Sequence, residues 1–115
     1  MDNAYIIPEG ALPPQEVRIT HLKAEPYPDG RRVRITIELS PFQQRPDLTT
    51  AIFTPHGQEV AAASIVEAMT YRMTFTMHLR GVPPSGVYRL HVDVAYPEIG
   101  TVAQADADFE THGEE

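Results

Sequence analysis

Cysteine and tryptophan are both missing from this 115-residue chain, and each absence closes a class of explanation. Without cysteine there is no disulfide framework, no thiolate nucleophile and no cysteine-ligated metal. Without tryptophan, a module that stacks sugars has lost its best platform. Basic residues are in the minority, nine against sixteen acidic ones for a formal charge of −7. That balance argues against nucleic acid, and against an anionic membrane surface, as the main partner. No apolar run is long enough to span a membrane, and the opening MDNAYIIPEGALPP lacks the basic stretch of a signal peptide. Taken as a complete chain, it is expected to be soluble and cytoplasmic, with no membrane partner.

What is present is the texture of an all-β protein. Hydrophobic residues at 42% and charged residues at 22% suffice for one folded domain with a single core. Eleven prolines and seven glycines cut the chain into short pieces, and proline is excluded from helix interiors and central ladders. Residues 1–14 read as an irregular arm, with Ile6 and Ile7 docking on the body. Residues 15–111 read as a β-sandwich, and 112–115 as a mobile tail.

About seven strand candidates follow one another at sandwich spacing. In EVRITHLKA, Val17 and Ile19 share a face and Leu22 falls out of phase, which predicts a bulge near His21. RRVRITIELS places Val33, Ile35, Ile37 and Leu39 inward. A hairpin is expected around Pro55, His56 and Gly57, and residues 58–69 after it suit either a strand or a short helix. TYRMTFTMHLR points Tyr71, Met73, Phe75, Met77 and Leu79 inward; TVAQADADFE buries Val102 and then Ala103, Ala105, Ala107 and Phe109. Tyr5, Tyr27, Phe42 and Phe53 are the aromatics left off these core faces.

The most patterned stretch is GVPPSGVYRLHVDVAY, residues 81–96. Its prolines and glycines suit a connection that carries the chain from one sheet to the other. A tyrosine just beyond such a crossing can bury its ring and return its hydroxyl to the backbone a few residues upstream. Val82, Pro84, Gly86 and Tyr88, followed by Leu90, Val92 and Val94, resemble the corresponding stretch of fibronectin type III domains. Immunoglobulin-like domains show a related corner, with a cysteine where Leu90 stands. The resemblance implies a seven-stranded antiparallel Greek-key β-sandwich, immunoglobulin-like, with Tyr88 as a structural corner. The missing tryptophan departs from both families, which usually bury one in an early strand.

Residue types that carry chemistry are scattered. His21, His56, His78, His91 and His112 show no ligand spacing and read as solvated surface side chains. Asp106 and Asp108 share a strand face about 7 Å apart, with Asp93 on a neighbouring strand, and read as a solvated acidic face. No serine sits in a nucleophile elbow and no glycine-rich phosphate loop occurs. No catalytic residue, metal or cofactor is therefore expected.

If strands 15–24, 31–40 and 70–80 share a sheet, its outer face gathers Arg18, Arg32, Arg34, Arg72, His78 and Arg80 as a possible interaction face. The other sheet would then present Asp93, Asp106, Asp108 and Glu110 with Arg89 and His91. The expected function is a non-enzymatic protein-interaction or structural accessory module, pairing with a protein partner or with itself. A sheet face, the loops or an edge strand would serve, with 101–110 the natural edge. The alternative is a small-ligand or carbohydrate-binding β-sandwich.

Overall fold

The structure, a computed structural model, describes residues 5–113. A 3-10 turn at Pro14–Glu16 precedes seven strands: β1 Ile19–Pro26, β2 Arg32–Leu39, β3 Asp47–Phe53, β4 Glu59–Ile65, β5 Arg72–His78, β6 Ser85–Tyr96 and β7 Gly100–His112. They form two sheets, ordered β1-β2-β5 and β4-β3-β6-β7, and every strand pair is antiparallel. This is the seven-stranded Greek-key sandwich of immunoglobulin-like topology. Strands β5 and β6 are consecutive in sequence yet lie in different sheets, so the proline-rich connection after β5 does carry the chain across.

The core follows from which strands have neighbours on both sides. In the centre of its sheet, β2 buries Val33, Ile35, Ile37 and Leu39; β6 buries Tyr88, Leu90, Val92, Val94 and Tyr96. Alternation alone suffices there because sheet neighbours flank both edges and the opposite sheet covers the inner face. Edge strand β5 is covered less completely. Met77 and the following Leu79 are buried, Met73 and Phe75 are half-buried, and Tyr71 is 47% exposed. Tyr71 therefore leaves the core face expected of it: it lies before the strand, in the loop that brings the chain from β4.

The expected bulge is present, as a register shift between Ile19 and His21 against β2. Residues 59–65 are strand, which settles the choice over 58–69 against helix. The turn before them reverses the chain: Thr54 N–H donates to Gln58 O at 2.9 Å, and Gly57 adopts φ +84°. The phase change from Val102 to Ala103 is likewise a bulge, where the β6–β7 register slips by one residue between Val94 and Ala95.

Both chain ends differ from expectation. In the arm, Ile6 and Ile7 stay exposed, while Tyr5 stacks on Phe42 with ring centroids 5.3 Å apart and donates its hydroxyl to Phe42 O at 2.7 Å. Leu12 bridges the chain at Phe42, and Phe42 is itself fully buried. Tyr5 and Phe42 are thus packing residues. At the other end, His112 pairs with Ser85 and Gly113 N–H donates to Pro84 O at 2.9 Å. The strand runs past the expected boundary at 111; Glu114 and Glu115 lie outside the described residues.

Tyr88 buries its ring just after the crossing and stacks on Phe109, centroids 5.5 Å apart. Its hydroxyl lies over Gly86 and has no backbone partner among the described residues. The tyrosine that does return its hydroxyl to the backbone is Tyr96, which donates to Gln44 O at 2.8 Å. Burial pushes that hydroxyl up to about 12, so it remains a donor. Tyr96→Phe should cost about 1–2 kcal/mol by leaving the Gln44 carbonyl short of a partner. Tyr88→Phe should change stability by less than about 0.5 kcal/mol, since the ring and its packing survive. Urea unfolding of the two variants side by side checks the ranking.

Gly30 supplies a second test. It adopts φ +69°, and a Cβ there would overlap the Pro84 carbonyl. Gly57 also has positive φ, but its surroundings are open. Gly30→Ala should destabilise by about 2–4 kcal/mol and Gly57→Ala by about 1 kcal/mol, read from the same unfolding curves.

Candidate functional site: two charged sheet faces and an apolar end

The outer face of the three-stranded sheet follows from its registers. Arg34 lies between Glu25 on β1 and Thr76 on β5, Arg32 opposes His78, and Glu38 opposes Arg72. Four of the six residues expected on this face, Arg32, Arg34, Arg72 and His78, are brought together there. The other two are elsewhere. Arg18 precedes β1 and donates to the carbonyls of Gln15 and Val17 at 3.1 and 2.8 Å. Arg80 follows β5 and faces the gap towards β4.

Carboxylates that the sequence reading left out of this face neutralise much of it. Arg32 Nε bonds Asp29 Oδ2 at 2.8 Å and its guanidinium lies 4.3 Å over the Tyr27 ring. The Arg31 amide and then Arg32 hold the Asp29 carboxyl below the usual carboxylate range. Arg72 pairs with Glu38, and Lys23 with Glu25. Tyr27 meets Thr76 Oγ1 at 3.2 Å; that bond, and then Arg34, lower its hydroxyl's pKa. Exposed pairs of this kind contribute little stability each.

On the four-stranded sheet, the β6–β7 register sets Arg89 opposite Asp108, His91 opposite Asp106 and Asp93 opposite Gln104. Arg89 grips Asp108 through Nε and Nη2 at 2.7 and 3.2 Å, which holds that carboxyl low. His91 is clamped: Nδ1 sits 2.6 Å from Asp106 Oδ1 and Nε2 3.1 Å from Asp93 Oδ1. Gln104 donates to the same Asp93 oxygen at 2.6 Å. A ring with a carboxylate at each nitrogen needs a proton on both, so His91 is raised above its ordinary value, first by Asp106 and then by Asp93. His91 is thus no merely solvated histidine. Among the described residues, no group of three or more His, Asp or Glu side chains is arranged to hold a metal ion.

Two shallow hollows flank these faces. One, of about 430 Å³, has Phe53, Pro55 and Val87 around the Arg89–Asp108 pair. Another, of about 460 Å³, runs between β4 and β5 over Val60, Ala61, Ala63 and Met77, with Glu59 and Arg80 at its rim.

The ends of the sandwich are unlike each other. Seven large apolar side chains stand exposed among the described residues, and the segments that carry six of them lie at the same end of the sandwich. Ile6 and Ile7 come from the arm; Val66, Met69 and Tyr71 from the β4–β5 connection; Ile99 from the β6–β7 turn. Tyr5, Ile7, Arg45 and Tyr96 share one depression there, and Arg45 reaches both Glu67 and Met69. Sequence reasoning missed these residues as a group because they lie in the arm and in two separate connections.

No protein-family model matches the chain, and no curated protein matches it by sequence. Solved structures do share its fold. The chain is similar to part of β-glucuronidase from Bifidobacterium dentium, complexed with coumarin-3-O-glucuronide, with TM-score 0.66 and 9% identity over 83% of this chain. It is similar also to Ruminococcus gnavus β-glucuronidase, with TM-score 0.58 and 8% identity over 84%. The FMN-binding β-glucuronidase of Faecalibacterium prausnitzii L2-6 gives TM-score 0.53 and 14% identity over 77%. The chain spans 18%, 16% and 14% of those proteins, so the likeness is to a β-sandwich portion of a much longer enzyme. No helix among the described residues is long and apolar enough to cross a membrane, which says nothing of β-barrels.

The histidine clamp sets a pH dependence. The folded state holds His91 above its unfolded value near 6.5, so the clamp's stabilisation is complete below that value and disappears as pH rises through the folded one. Because the ring is partly exposed, the effect should be below about 1 kcal/mol. His91→Gln should flatten the fall in stability as pH rises above the ordinary histidine value of about 6.5, measured by thermal unfolding. NMR titration of His91 should give a midpoint above the ordinary histidine value.

Proposed function

We propose that the chain is a non-enzymatic interaction module, an accessory β-sandwich of the fibronectin type III-like kind, that engages a protein surface through its apolar end. The single observation that supports this reading is that exposed Ile6, Ile7, Val66, Met69, Tyr71 and Ile99 are all carried by segments at one end of the sandwich. A small domain rarely exposes so many large apolar groups together unless something covers them. Arg45 and Glu67 beside the patch give it the mixed apolar and polar character of a protein interface. The sandwich likeness within long glucuronidase chains is compatible with an accessory role, although fold by itself carries no activity. Arg72–Glu38, Arg89–Asp108 and His91–Asp106 are held in pairs across the ladders, an arrangement suited to a solvated face.

A carbohydrate- or small-ligand-binding reading has one observation in its favour, the hollow with Phe53 beside the Arg89–Asp108 pair. An aromatic next to a bidentate ion pair can hold a polar ring. A glycan array with no hits removes that reading and leaves the first untouched.

Replacing Ile7, Met69 and Ile99 together by serine should keep the fold, because all three are surface residues, and should abolish association. The readouts are sedimentation for self-association and crosslinking in the native cells for a heterologous complex. Equal association by the parent and the triple variant removes the proposal.

A further inference from the structure

We infer that the free edge of β5 is a docking site for an extended, acidic segment of a partner protein, which adds to the three-stranded sheet as a fourth strand. The inference extends the interaction-module reading to a second surface, the strand edge that starts next to the apolar end.

The backbone pattern identifies the groups on offer. Leu39 N–H donates to Tyr71 O, and Leu79 N–H donates to Arg31 O. These bonds mark the two ends of the β2–β5 ladder, and in an antiparallel pair the hydrogen-bonded positions recur every second residue. Met73, Phe75 and Met77 therefore face β2 with their backbone groups. Arg72, Thr74, Thr76 and His78 turn theirs outward, where no strand follows in the sheet order. The Arg72 carbonyl already accepts the Thr70 hydroxyl at 2.8 Å, which agrees with its outward direction and leaves Thr74 and Thr76 as the central free pairs.

The opposite side of the sandwich is closed, because β1 runs alongside β7. That closure argues against 101–110 as the docking edge. By contrast, β4 and β5 are joined near one end, where Arg80 N–H donates to Val60 O at 3.3 Å. Between them lies the 460 Å³ groove floored by Ala61, Ala63 and Met77. A strand added to β5 would send alternate side chains down into this groove, where the alanines leave room for small or branched apolar groups. Its other side chains would project beside Arg72, His78 and, beyond the strand, Arg80.

Charge selects the occupant. Strand β5 carries no carboxylate; the acidic groups nearest its edge are Glu38, already paired with Arg72, and Glu59 across the groove. Two copies pairing antiparallel about Phe75 would set Arg72 diagonally beside Arg80 of the second copy, so self-pairing is disfavoured. A foreign strand with outward carboxylates meets no such conflict. Main-chain bonds would supply the affinity, and the groove together with the basic rim the selectivity.

The test uses two labelled decapeptides, one alternating valine and glutamate, the other valine and lysine, titrated into the full chain by fluorescence anisotropy. The glutamate peptide should bind at least about tenfold more tightly and should slow amide exchange at Thr74 and Thr76. Thr74→Pro removes an outward N–H without touching the β2 ladder, and should abolish binding. Should that variant fold poorly, His78→Glu with Arg80→Glu should invert the peptide preference instead. Equal binding of the two peptides overturns the inference, as does undiminished binding by folded Thr74→Pro. Protection appearing on another strand, dimerisation through Phe75, or no binding up to about millimolar peptide overturns it equally. The Ile7, Met69 and Ile99 triple variant should bind the glutamate peptide as the parent does, which separates failure here from failure at the apolar end.

Discussion

The architecture depends on one crowded junction, where the chain that has just left β5 meets the β1–β2 turn and the end of β7. Pro84 offers its carbonyl to the Gly113 amide, and Gly30 approaches the same carbonyl so closely that no side chain fits. Gly113 is pressed in turn against the backbone at Asp29. Three segments far apart in sequence can share this space only because two are glycines and the third is a proline whose lost N–H is not needed there. The junction fixes where the crossing strand begins. The start of β6 in turn fixes which side chains of β6 enter the core and which of its neighbours they meet.

From that start the sequence could be followed a long way. Strands β2 and β6 were legible because neighbours on both sides and a sheet in front convert period-2 alternation directly into burial. The bulge at Ile19–His21 was legible too, as a phase slip in the apolar pattern, whereas the one at Val102 left the same kind of slip but was not read from it. What escaped were features made by partners distant in sequence. Tyr5 meets Phe42 across 37 positions and Tyr96 meets Gln44 across 52, and nothing in either local pattern says which tyrosine will find a carbonyl. Tyr88 had the better motif, yet Tyr96 has the bond. The histidine clamp lay between these extremes. Once the Val102 bulge and the turn after Tyr96 are known, counting back along the hairpin sets His91 against Asp106, so the signal existed but required a register rather than a motif.

Charge follows the same geometry. The chain carries seven more acidic than basic groups by formal count, yet neither sheet presents an unbroken field of one sign. The ladders place Arg89 against Asp108 and Glu38 against Arg72, and the turn places Asp29 against Arg32. Cross-strand pairing of this sort does little for stability in water. Its larger consequence is to stop like charges meeting across a ladder, which would weaken the register that the core depends on. A face neutralised in this way is poor material for long-range attraction, which shifts attention from the sheet faces to the ends and edges of the sandwich.

Edges are where a sandwich must decide between protection and use. A closed barrel has none, but two stacked sheets have four edge strands, each with unpaired backbone groups on one side. Here β1 and β7 shield one another across one side. The other side is treated differently: β4 and β5 diverge over a floor of alanines and a methionine, and β5 runs without a bulge against β2 from Arg32 to Glu38. Protection by an inward-pointing charge, a proline or a break in the strand is missing from 72–78. What guards β5 is the arginine at each end, Arg72 and, beyond the strand, Arg80, with no carboxylate of its own between them, which disfavours pairing with a second copy of itself. That form of protection is selective by nature, since a barrier made of positive charge excludes basic or identical strands and leaves the edge open to acidic ones.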